Sequence, residues 1–175
     1  MTGLRRGELL GLDWGAVDLD TGRLAITRTL IEEKGAPRFS KPKTKRGRRS
    51  VAPDALTVEA LREHHQRQLD ERLDWGPAYQ DHGLVFCREE GMPIWPRTLS
   101  RSFDHHVRDA GLPKIRLHDL RHTHATLALE AGVHPKVVQE RLGHSTIAIT
   151  LDTYSQAIPA MQEDAAAKIA ALLER

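Results

Sequence analysis

The sequence has a single cysteine, Cys87, and no apolar stretch near the roughly 20 residues that a membrane-spanning helix needs. One cysteine cannot form an internal disulfide, which is typical of proteins from a reducing compartment. The first residues show no signal-peptide pattern, and the chain has neither an internal repeat nor a low-complexity tract. These absences argue against membrane proteins and disulfide-rich secreted proteins. We expect a cytoplasmic protein that does not associate with membranes.

Composition predicts one globular domain. The 175 residues have a hydrophobic fraction of 39% and a charged fraction of 29%, values that exclude a disordered tail. A chain of this length can bury a substantial core. We therefore expect a single folded domain over residues 1–175.

Positive charge is concentrated in one segment, although the net charge is only +2. Residues 34–49 contain no acid and eight basic residues: Lys34, Arg38, Lys41, Lys43, Lys45, Arg46, Arg48 and Arg49. A basic run is more often a solvated loop than part of a catalytic site. Eight cations without an acid nevertheless favour contact with phosphate.

The patterns of apolar residues predict an α+β fold, mainly helical, with a small antiparallel sheet of about three strands. Residues 22–33 combine an alternation of apolar and polar residues with β-branched residues, and a turn at 34–37 follows them. This pattern predicts a strand, a turn and a second strand. A second turn at 45–47 and a short strand at 49–52 complete the sheet, from which the basic loop projects. Helices are predicted over residues 4–14, 56–73, 97–109, 118–131, 135–142, 146–153 and 159–174.

Residues near the end of the chain are suited to phosphate chemistry. His118 and Arg121 are three residues apart and therefore share one face of a predicted helix. The planar fork of an arginine can hold two non-bridging phosphate oxygens and stays charged at any working pH. His144 follows a glycine at a predicted helix end, and Tyr154 is one of only two tyrosines. With Arg5, these side chains could surround a phosphodiester with cations and offer it a phenol as nucleophile.

These motifs resemble those of the tyrosine recombinase (phage integrase) family. Five matching segments occur in the family's order over nearly the whole chain: residues 2–12, 42–45, 118–121, 142–145 and 150–154. Each segment is short, but five in the right order are highly specific. The resemblance implies that residues 1–175 are a C-terminal catalytic domain with the tyrosine recombinase fold. The N-terminal core-binding domain that family members usually carry is then expected to be absent.

The resemblance implies a site-specific recombinase that cleaves and rejoins DNA strands without a metal ion or cofactor. Tyr154 would attack the scissile phosphate, form a 3′-phosphotyrosyl link and release a 5′-hydroxyl. That hydroxyl would then attack the equivalent link in a partner strand. Because one phosphodiester is exchanged for an ester of similar energy, resealing would need no ATP.

The resemblance also implies roles for four further side chains. Arg5 and Arg121 would clamp the non-bridging oxygens, and His144 would donate another hydrogen bond to the phosphate. His118 would accept the phenolic proton. A phenol with a pKa of about 10 is mostly protonated at neutral pH, so a base or a strongly cationic pocket is required.

The basic loop would supply the lysine that protonates the leaving 5′-oxygen. The motif match favours Lys43, and Lys45 remains open. Glu8, one helical turn after Arg5, would orient an arginine rather than react. The DNA-binding residues expected around this loop are Lys41, Lys45, Arg46 and Arg48.

Double-stranded DNA is the partner that the resemblance implies. Family members work as tetramers of identical chains on two duplexes and pass a C-terminal segment into a neighbour. We expect a homo-tetramer on DNA and allow for a monomer in its absence. The candidate segment for exchange is the predicted C-terminal helix at about 159–175, and the sequence does not decide whether it packs on its own domain or on a neighbour.

A zinc site is the first alternative. His118 and His122 have the i, i+4 spacing of zinc ligands, and His124 lies nearby. However, a zinc hydrolase with this spacing has glutamate after the first histidine, where this chain has Asp119, and Arg121 would oppose the cation. His122 and His124 are therefore expected to have structural roles.

A non-catalytic helix-turn-helix module that binds DNA is the second alternative. Residues 127–142 have the length of such a motif, with Gly132 at the turn. A recognition helix presents polar side chains to base edges, whereas Val137, Val138 and Leu142 have the spacing of a buried stripe. This alternative also leaves the position of His144 unexplained.

Overall fold

Six α-helices and five short strands lie within residues 2–41 and 47–153, the part of the chain that the computed structural model describes. The helices are α1 Arg6–Leu10, α2 Ala55–Trp75, α3 Pro96–Asp109, α4 Asp119–Glu130, α5 Pro135–Leu142 and α6 Ile147–Thr153. The strands are β1 Val17–Asp18, β2 Arg23–Ala25, β3 Thr29–Glu33, β4 Ala36–Ser40 and β5 Ser50–Val51. The mainly helical α+β fold is confirmed. The predicted helix at 159–174 lies outside the described residues.

The strands form two antiparallel sheets rather than one. In the first sheet β2 is central, with Leu24 opposite Val17 of β1 and opposite Val51 of β5. In the second, β3 pairs only with β4, with Thr29 opposite Ser40. The prediction of one strand over 22–33 is therefore wrong. It spans two strands that belong to different sheets, and β1 had not been predicted.

The hairpin β3–β4 turns at Lys34 and Gly35, which have φ values of 50° and 75°. Two successive residues with positive φ are characteristic of the tight turn that suits a two-residue hairpin. Pro37 lies within β4 opposite Glu32, which is compatible with a strand that has a neighbour on one side only. The turn is therefore shorter than the predicted 34–37.

Helix α1 is shorter than the predicted 4–14, and it packs closely on β3. A Cβ atom on Gly7 would lie 2.5 Å from the Thr29 hydroxyl oxygen, and one on Gly11 would lie 2.9 Å from the Thr29 Cα. Arg5, immediately before the helix, is extended, with φ −71° and ψ 151°. The close approach fixes α1, and with it the start of the chain, against the hairpin.

The predicted helices that correspond to α2 through α6 are confirmed with ends that differ by no more than two residues. Gly111, Gly132 and Gly143 have positive φ values of 64°, 77° and 66° and follow the ends of α3, α4 and α5. Glycine is favoured in this conformation because a Cβ atom would be strained there. In residues 2–41 and 47–153, no helix has the length and apolar character needed to cross a membrane.

Two buried apolar clusters hold these elements together. One includes Leu12, Leu24, Ile26, Leu61 and Val85, and joins the three-stranded sheet to α2. The other consists of Ala125, Leu129, Val138 and Leu142, and joins α4 to α5. The second cluster positions the site, because Arg121 lies one turn before Ala125 in α4 and His144 follows the end of α5.

Candidate active site

Three arginines meet at the C-terminal end of α5. Three successive carbonyl oxygens there each accept a hydrogen bond from a different guanidinium. The Arg141 carbonyl accepts from Arg49 Nε at 2.7 Å, the Leu142 carbonyl accepts from Arg121 Nη2 at 2.6 Å, and the Gly143 carbonyl accepts from Arg5 Nη2 at 3.0 Å. The last carbonyls of a helix have no partner within the helix, and its dipole makes this end negative. The end of α5 thus attracts cations from three distant parts of the chain.

Glu8 connects two of these arginines. Its carboxylate accepts two hydrogen bonds of 2.9 Å from Arg49 and one of 2.8 Å from Arg5 Nη1. Glu8 is only 5% exposed. Burial alone would raise the pKa of Glu8, but the hydrogen bonds and charge of Arg49 and the bonds from Arg5 outweigh burial and lower that pKa below 4.5. Glu8 is therefore a buried carboxylate that orients two guanidinium groups.

Arg121 ties α4 to the start of the chain and to α5. It is 5% exposed and donates to the carbonyl oxygens of Gly3 and Leu142. Gly3 has a φ of 68°, and a Cβ atom there would lie 2.6 Å from the ring of His124. Only glycine fits this position without strain. The close packing around Gly3 thus fixes the Gly3 carbonyl oxygen that Arg121 binds.

His144 is held through both its main chain and its ring. Its N–H donates to the Gln139 carbonyl at 3.1 Å, and its own carbonyl accepts from the Gln139 side-chain amide at 2.9 Å. The ring Nδ1 lies 2.9 Å from the Thr150 hydroxyl oxygen. Burial and the positive charges of Arg121, Arg5 and Arg49 lower the pKa of His144 to about 4. The ring is therefore neutral at physiological pH.

His118 immediately precedes α4, and the positive charge of Arg121 acts on its ring. Its ring meets that of His122 edge-on, with 4.9 Å between centroids. Burial, followed by the charges of His122 and Arg121, lowers the pKa of His118, so at neutral pH it can accept a proton. His118 and Arg5 line the same cavity of about 550 Å³.

Asp119, the residue after His118, is paired with Arg116. The Arg116 Nη2 lies 2.8 Å from Asp119 Oδ1. The hydrogen bonds from Arg116 lower the pKa of Asp119 to about 2. The aspartate next to His118 is thus an ion-pair partner of Arg116, on the exposed side of α4.

Five residues named from the sequence are brought together in the structure: Arg5, Glu8, His118, Arg121 and His144. Lys41 is exposed after β4. Arg48 lines a cavity of about 540 Å³ that is also lined by Arg49, Lys136, Arg141 and His144. Lys43, Lys45, Arg46, Tyr154 and the segment 159–175 lie outside the described residues.

Arg49 and Thr150 are the site residues that sequence reasoning missed. Arg49 had been counted with the basic run, but its side chain is only 7% exposed. The sequence contained a signal, because Arg49 lies two residues before the apolar Val51 in the predicted strand 49–52, and alternate residues of a strand point to the same side. No comparable signal identified Thr150, since its contact depends on how α5 and α6 pack.

The described residues give no support to a zinc site. No group of three histidine, cysteine, aspartate or glutamate side chains in residues 2–41 and 47–153 could hold a metal ion. His124 Nε2 is 3.1 Å from Arg141 Nε and accepts a hydrogen bond from it. Since a ligand nitrogen must offer that lone pair to the metal, His124 has a structural role.

The helix-turn-helix alternative is not favoured either. Val138 and Leu142 of α5 are buried, as expected from their spacing, but Val137 is 51% exposed, so its prediction as buried was wrong. Gln139, the polar side chain between them, faces inward and binds His144. Gln139 and the carbonyl groups at the end of α5 thus form contacts within the domain.

Comparison with known proteins identifies sequence relatives. The sequence model of the Phage integrase family matches residues 1–160. The chain is 38% identical over 176 residues to a protein named Tyrosine recombinase XerC-like from Caldanaerobacter subterraneus subsp. tengcongensis, in a match that covers 94% of this chain and 45% of that protein. This chain therefore spans less than half the length of that relative.

Comparison with solved structures gives the same fold. The Tn1549 transposon integrase in complex with transposon right end DNA matches with a TM-score of 0.78 and 24% identity, over 94% of this chain and 56% of that one. The XerH site-specific recombinase bound to palindromic difH substrate, a post-cleavage complex, matches with a TM-score of 0.64 and 27% identity, over 94% of this chain and 42% of that one.

Proposed function

Because the chain belongs to the Phage integrase family, we propose that it forms the catalytic domain of a tyrosine recombinase. Its substrate is double-stranded DNA, and its reaction is strand cleavage and rejoining through a 3′-phosphotyrosyl intermediate. This activity serves DNA integration and site-specific recombination. The XerH complex with its difH substrate supports DNA as the partner.

One observation carries this proposal: Arg5, Arg121 and His144 converge at the end of α5. Arg5 and Arg121 donate to adjacent carbonyls, those of Gly143 and Leu142, immediately before His144. Cationic and neutral donors fixed in this way are suited to a phosphorane, whose added negative charge develops on the non-bridging oxygens. Arginines that lie ready before the substrate arrives lower the barrier because little reorganisation is then needed.

The proposed reaction uses the remaining residues as acid, base and nucleophile. The phenolic oxygen of Tyr154 forms a bond to phosphorus, the bond from phosphorus to the 5′-oxygen breaks, and the 3′-oxygen stays attached. His118 accepts the phenolic proton, since its lowered pKa leaves the ring neutral. Lys43 donates the proton to the leaving 5′-oxygen, with Lys45 as the alternative donor.

The surroundings of the basic segment are proposed to bind the DNA backbone. Lys41 and Arg48 are exposed on either side of residues 42–46, and Lys45 and Arg46 belong to that segment. We expect each phosphate contact to steepen the salt dependence of DNA affinity. The assembly proposed on DNA is a homo-tetramer, which sedimentation of the protein with and without duplex DNA can test.

Capture of the covalent intermediate tests the proposed chemistry. The protein is incubated in chelator with a pool of nicked duplexes whose central sequence is randomised, so that cleavage next to the nick releases a short fragment and traps the adduct. Denaturing separation isolates protein–DNA adducts, and mass spectrometry locates the linked residue. We expect a phosphotyrosyl link at Tyr154 and enrichment of a common sequence among the trapped duplexes.

The second tyrosine provides a matched control. The hydroxyl of Tyr79 lies 3.6 Å from the Cys87 sulfur, and burial raises the pKa of its phenol above the usual value. Tyr154→Phe should abolish the adduct, and Tyr79→Phe should leave it unchanged. No adduct from any duplex in the pool, or a link at a residue other than Tyr154, would contradict the proposal.

A further inference from the structure

A buried threonine contacts the ring of His144. The Thr150 side chain in α6 is 0% exposed, and its hydroxyl oxygen lies 2.9 Å from His144 Nδ1. This distance is that of a normal hydrogen bond. The contact joins α6 to the residue that follows α5, and α5 and α6 pack against each other.

The direction of this hydrogen bond determines what the other ring nitrogen can do. A neutral imidazole has one N–H and one lone pair, and burial among the arginines keeps His144 neutral at physiological pH. If Nδ1 carried the proton, Nε2 would be an acceptor and would repel a phosphate oxygen. If the hydroxyl donates to Nδ1, the proton is on Nε2, which becomes a donor.

The surroundings of the hydroxyl favour the second arrangement. Among the described residues, the Thr150 hydroxyl has no hydrogen-bond partner other than His144 Nδ1, and the side chain is fully buried. If Nδ1 were the donor, the hydroxyl would accept and its own buried proton would have no acceptor among these residues, which is unfavourable. If the hydroxyl donates to Nδ1, its proton is satisfied.

We propose that Thr150 is a positioning residue that donates its hydroxyl proton to Nδ1 of His144 and so fixes the ring as the Nε2–H tautomer. The consequence for catalysis, donation from Nε2 to the phosphate, rests on the proposed function. The tautomer itself does not, because it is a property of the protein without DNA. The two ideas can therefore fail separately.

Nitrogen NMR of the protein without DNA tests the tautomer directly. In ¹⁵N-labelled protein at pH 7, long-range proton–nitrogen correlations distinguish a protonated from an unprotonated ring nitrogen. The chain has ten histidines, so the His144 signals are assigned by their loss in His144→Gln. We expect a protonated Nε2 and an unprotonated Nδ1. A protonated Nδ1 in the wild-type protein would overturn the proposal, whatever the variants do.

Two substitutions separate the hydroxyl from the packing of its side chain. Thr150→Val keeps the branched shape and removes the donor, while Thr150→Ser keeps the donor. We expect mixed tautomers of His144 in Thr150→Val and the wild-type pattern in Thr150→Ser. An unchanged pattern in a folded Thr150→Val protein would also contradict the proposal.

Kinetics provide the functional measurement. In single-turnover formation of the adduct on a trapped duplex, we expect Thr150→Val to lower the rate about 10-fold, by analogy with the loss of a hydrogen bond that orients a metal-binding histidine. DNA affinity should stay the same, and Thr150→Ser should recover most of the rate. The control is Thr123→Val, because the hydroxyl of Thr123 donates to the Asp119 carbonyl on the exposed side of α4.

The outcomes distinguish the two proposals. If wild-type protein forms no adduct but His144 is the Nε2–H tautomer and loses it in Thr150→Val, the proposed function fails and the role of Thr150 stands. If the adduct forms at Tyr154 and the rate of Thr150→Val equals that of the wild type, the role of Thr150 fails and the proposed function stands.

Discussion

Arg49 and Glu8 face each other through two parallel hydrogen bonds, Nη1 to Oε1 and Nη2 to Oε2, both 2.9 Å long. The side chains are 7% and 6% exposed, although 41 residues separate them in the chain. The same carboxylate binds Arg5. The start of β5 is thereby connected through Glu8 to an arginine that we propose contacts the phosphate.

Removal of the Arg49 guanidinium should destabilise the domain strongly. Arg49→Met leaves the buried Glu8 carboxylate with Arg5 as its remaining described partner, and breaking a buried ion pair typically costs about 3–5 kcal/mol. Urea unfolding measures the change in the free energy of unfolding. The matched control is Arg48→Met at the exposed neighbouring position, for which we expect a change within about 0.5 kcal/mol. Equal effects of the two substitutions would show that the buried pair contributes nothing.

The contribution of Glu8 should depend on pH in a defined direction. Its pKa in the folded protein is below the ordinary 4.5, so the stabilisation is fully present above pH 4.5 and is lost as the pH falls through the folded value. The difference in unfolding free energy between wild type and Glu8→Gln should be largest above about pH 5 and shrink in acid. A difference that grows as the pH falls would reverse this assignment.

His144 should titrate with a midpoint near pH 4 in the folded protein, because burial and the neighbouring arginines lower its pKa to about 4. Because the folded protein favours the neutral ring, the contribution of His144 to the free energy of unfolding is fully present above pH 6.5. This contribution is lost as the pH falls from 6.5 to about 4. An NMR titration of the assigned ring signals measures the midpoint. A midpoint near 6.5 would mean that the ring is well solvated and does not lie among the arginines as described.

Gly3→Ala should lower the free energy of unfolding more than a matched substitution at another glycine. Gly3 and Gly111 have nearly equal φ values of 68° and 64°, so an alanine is strained to a similar extent at both. Only at Gly3 would the Cβ atom be crowded, 2.6 Å from the His124 ring. We expect Gly3→Ala to lose at least about 1 kcal/mol more unfolding free energy than Gly111→Ala. Thermal unfolding of both variants checks this, and similar melting temperatures would contradict the crowding.

Arg121→Lys should reduce strand cleavage even though it keeps the charge. Arg121 donates to the Gly3 and Leu142 carbonyls at once, which an ammonium group at the end of a flexible stem does not reproduce. Loss of one aligned donor typically lowers a rate by about 100-fold to 1000-fold. Single-turnover adduct formation measures the rate. A loss of less than about threefold would show that charge alone suffices at this position.

Local patterns predicted α2 through α6 well because helix signals are local. Gly111, Gly132 and Gly143 mark helix ends by a backbone conformation that the residue itself prefers. The division into two sheets depends on which strands pair, and β2 and β3 are separated by only Ile26, Thr27 and Arg28, so alternation alone could not divide them. The role of Arg49 was not predicted because its partner, Glu8, lies 41 residues away in the chain. His118 and Arg121 were found together because three residues in a helix bring them onto one face.

The end of α5 acts as a common reference point for the groups proposed to bind phosphate. Arg5 and Arg121 hold carbonyls immediately before His144, so a small displacement of α5 would carry all three groups and largely preserve their spacing. The spacing of Arg5, Arg121 and His144 then depends mainly on the last turn of α5. A substitution that displaces the end of α5 should therefore disturb all three groups together.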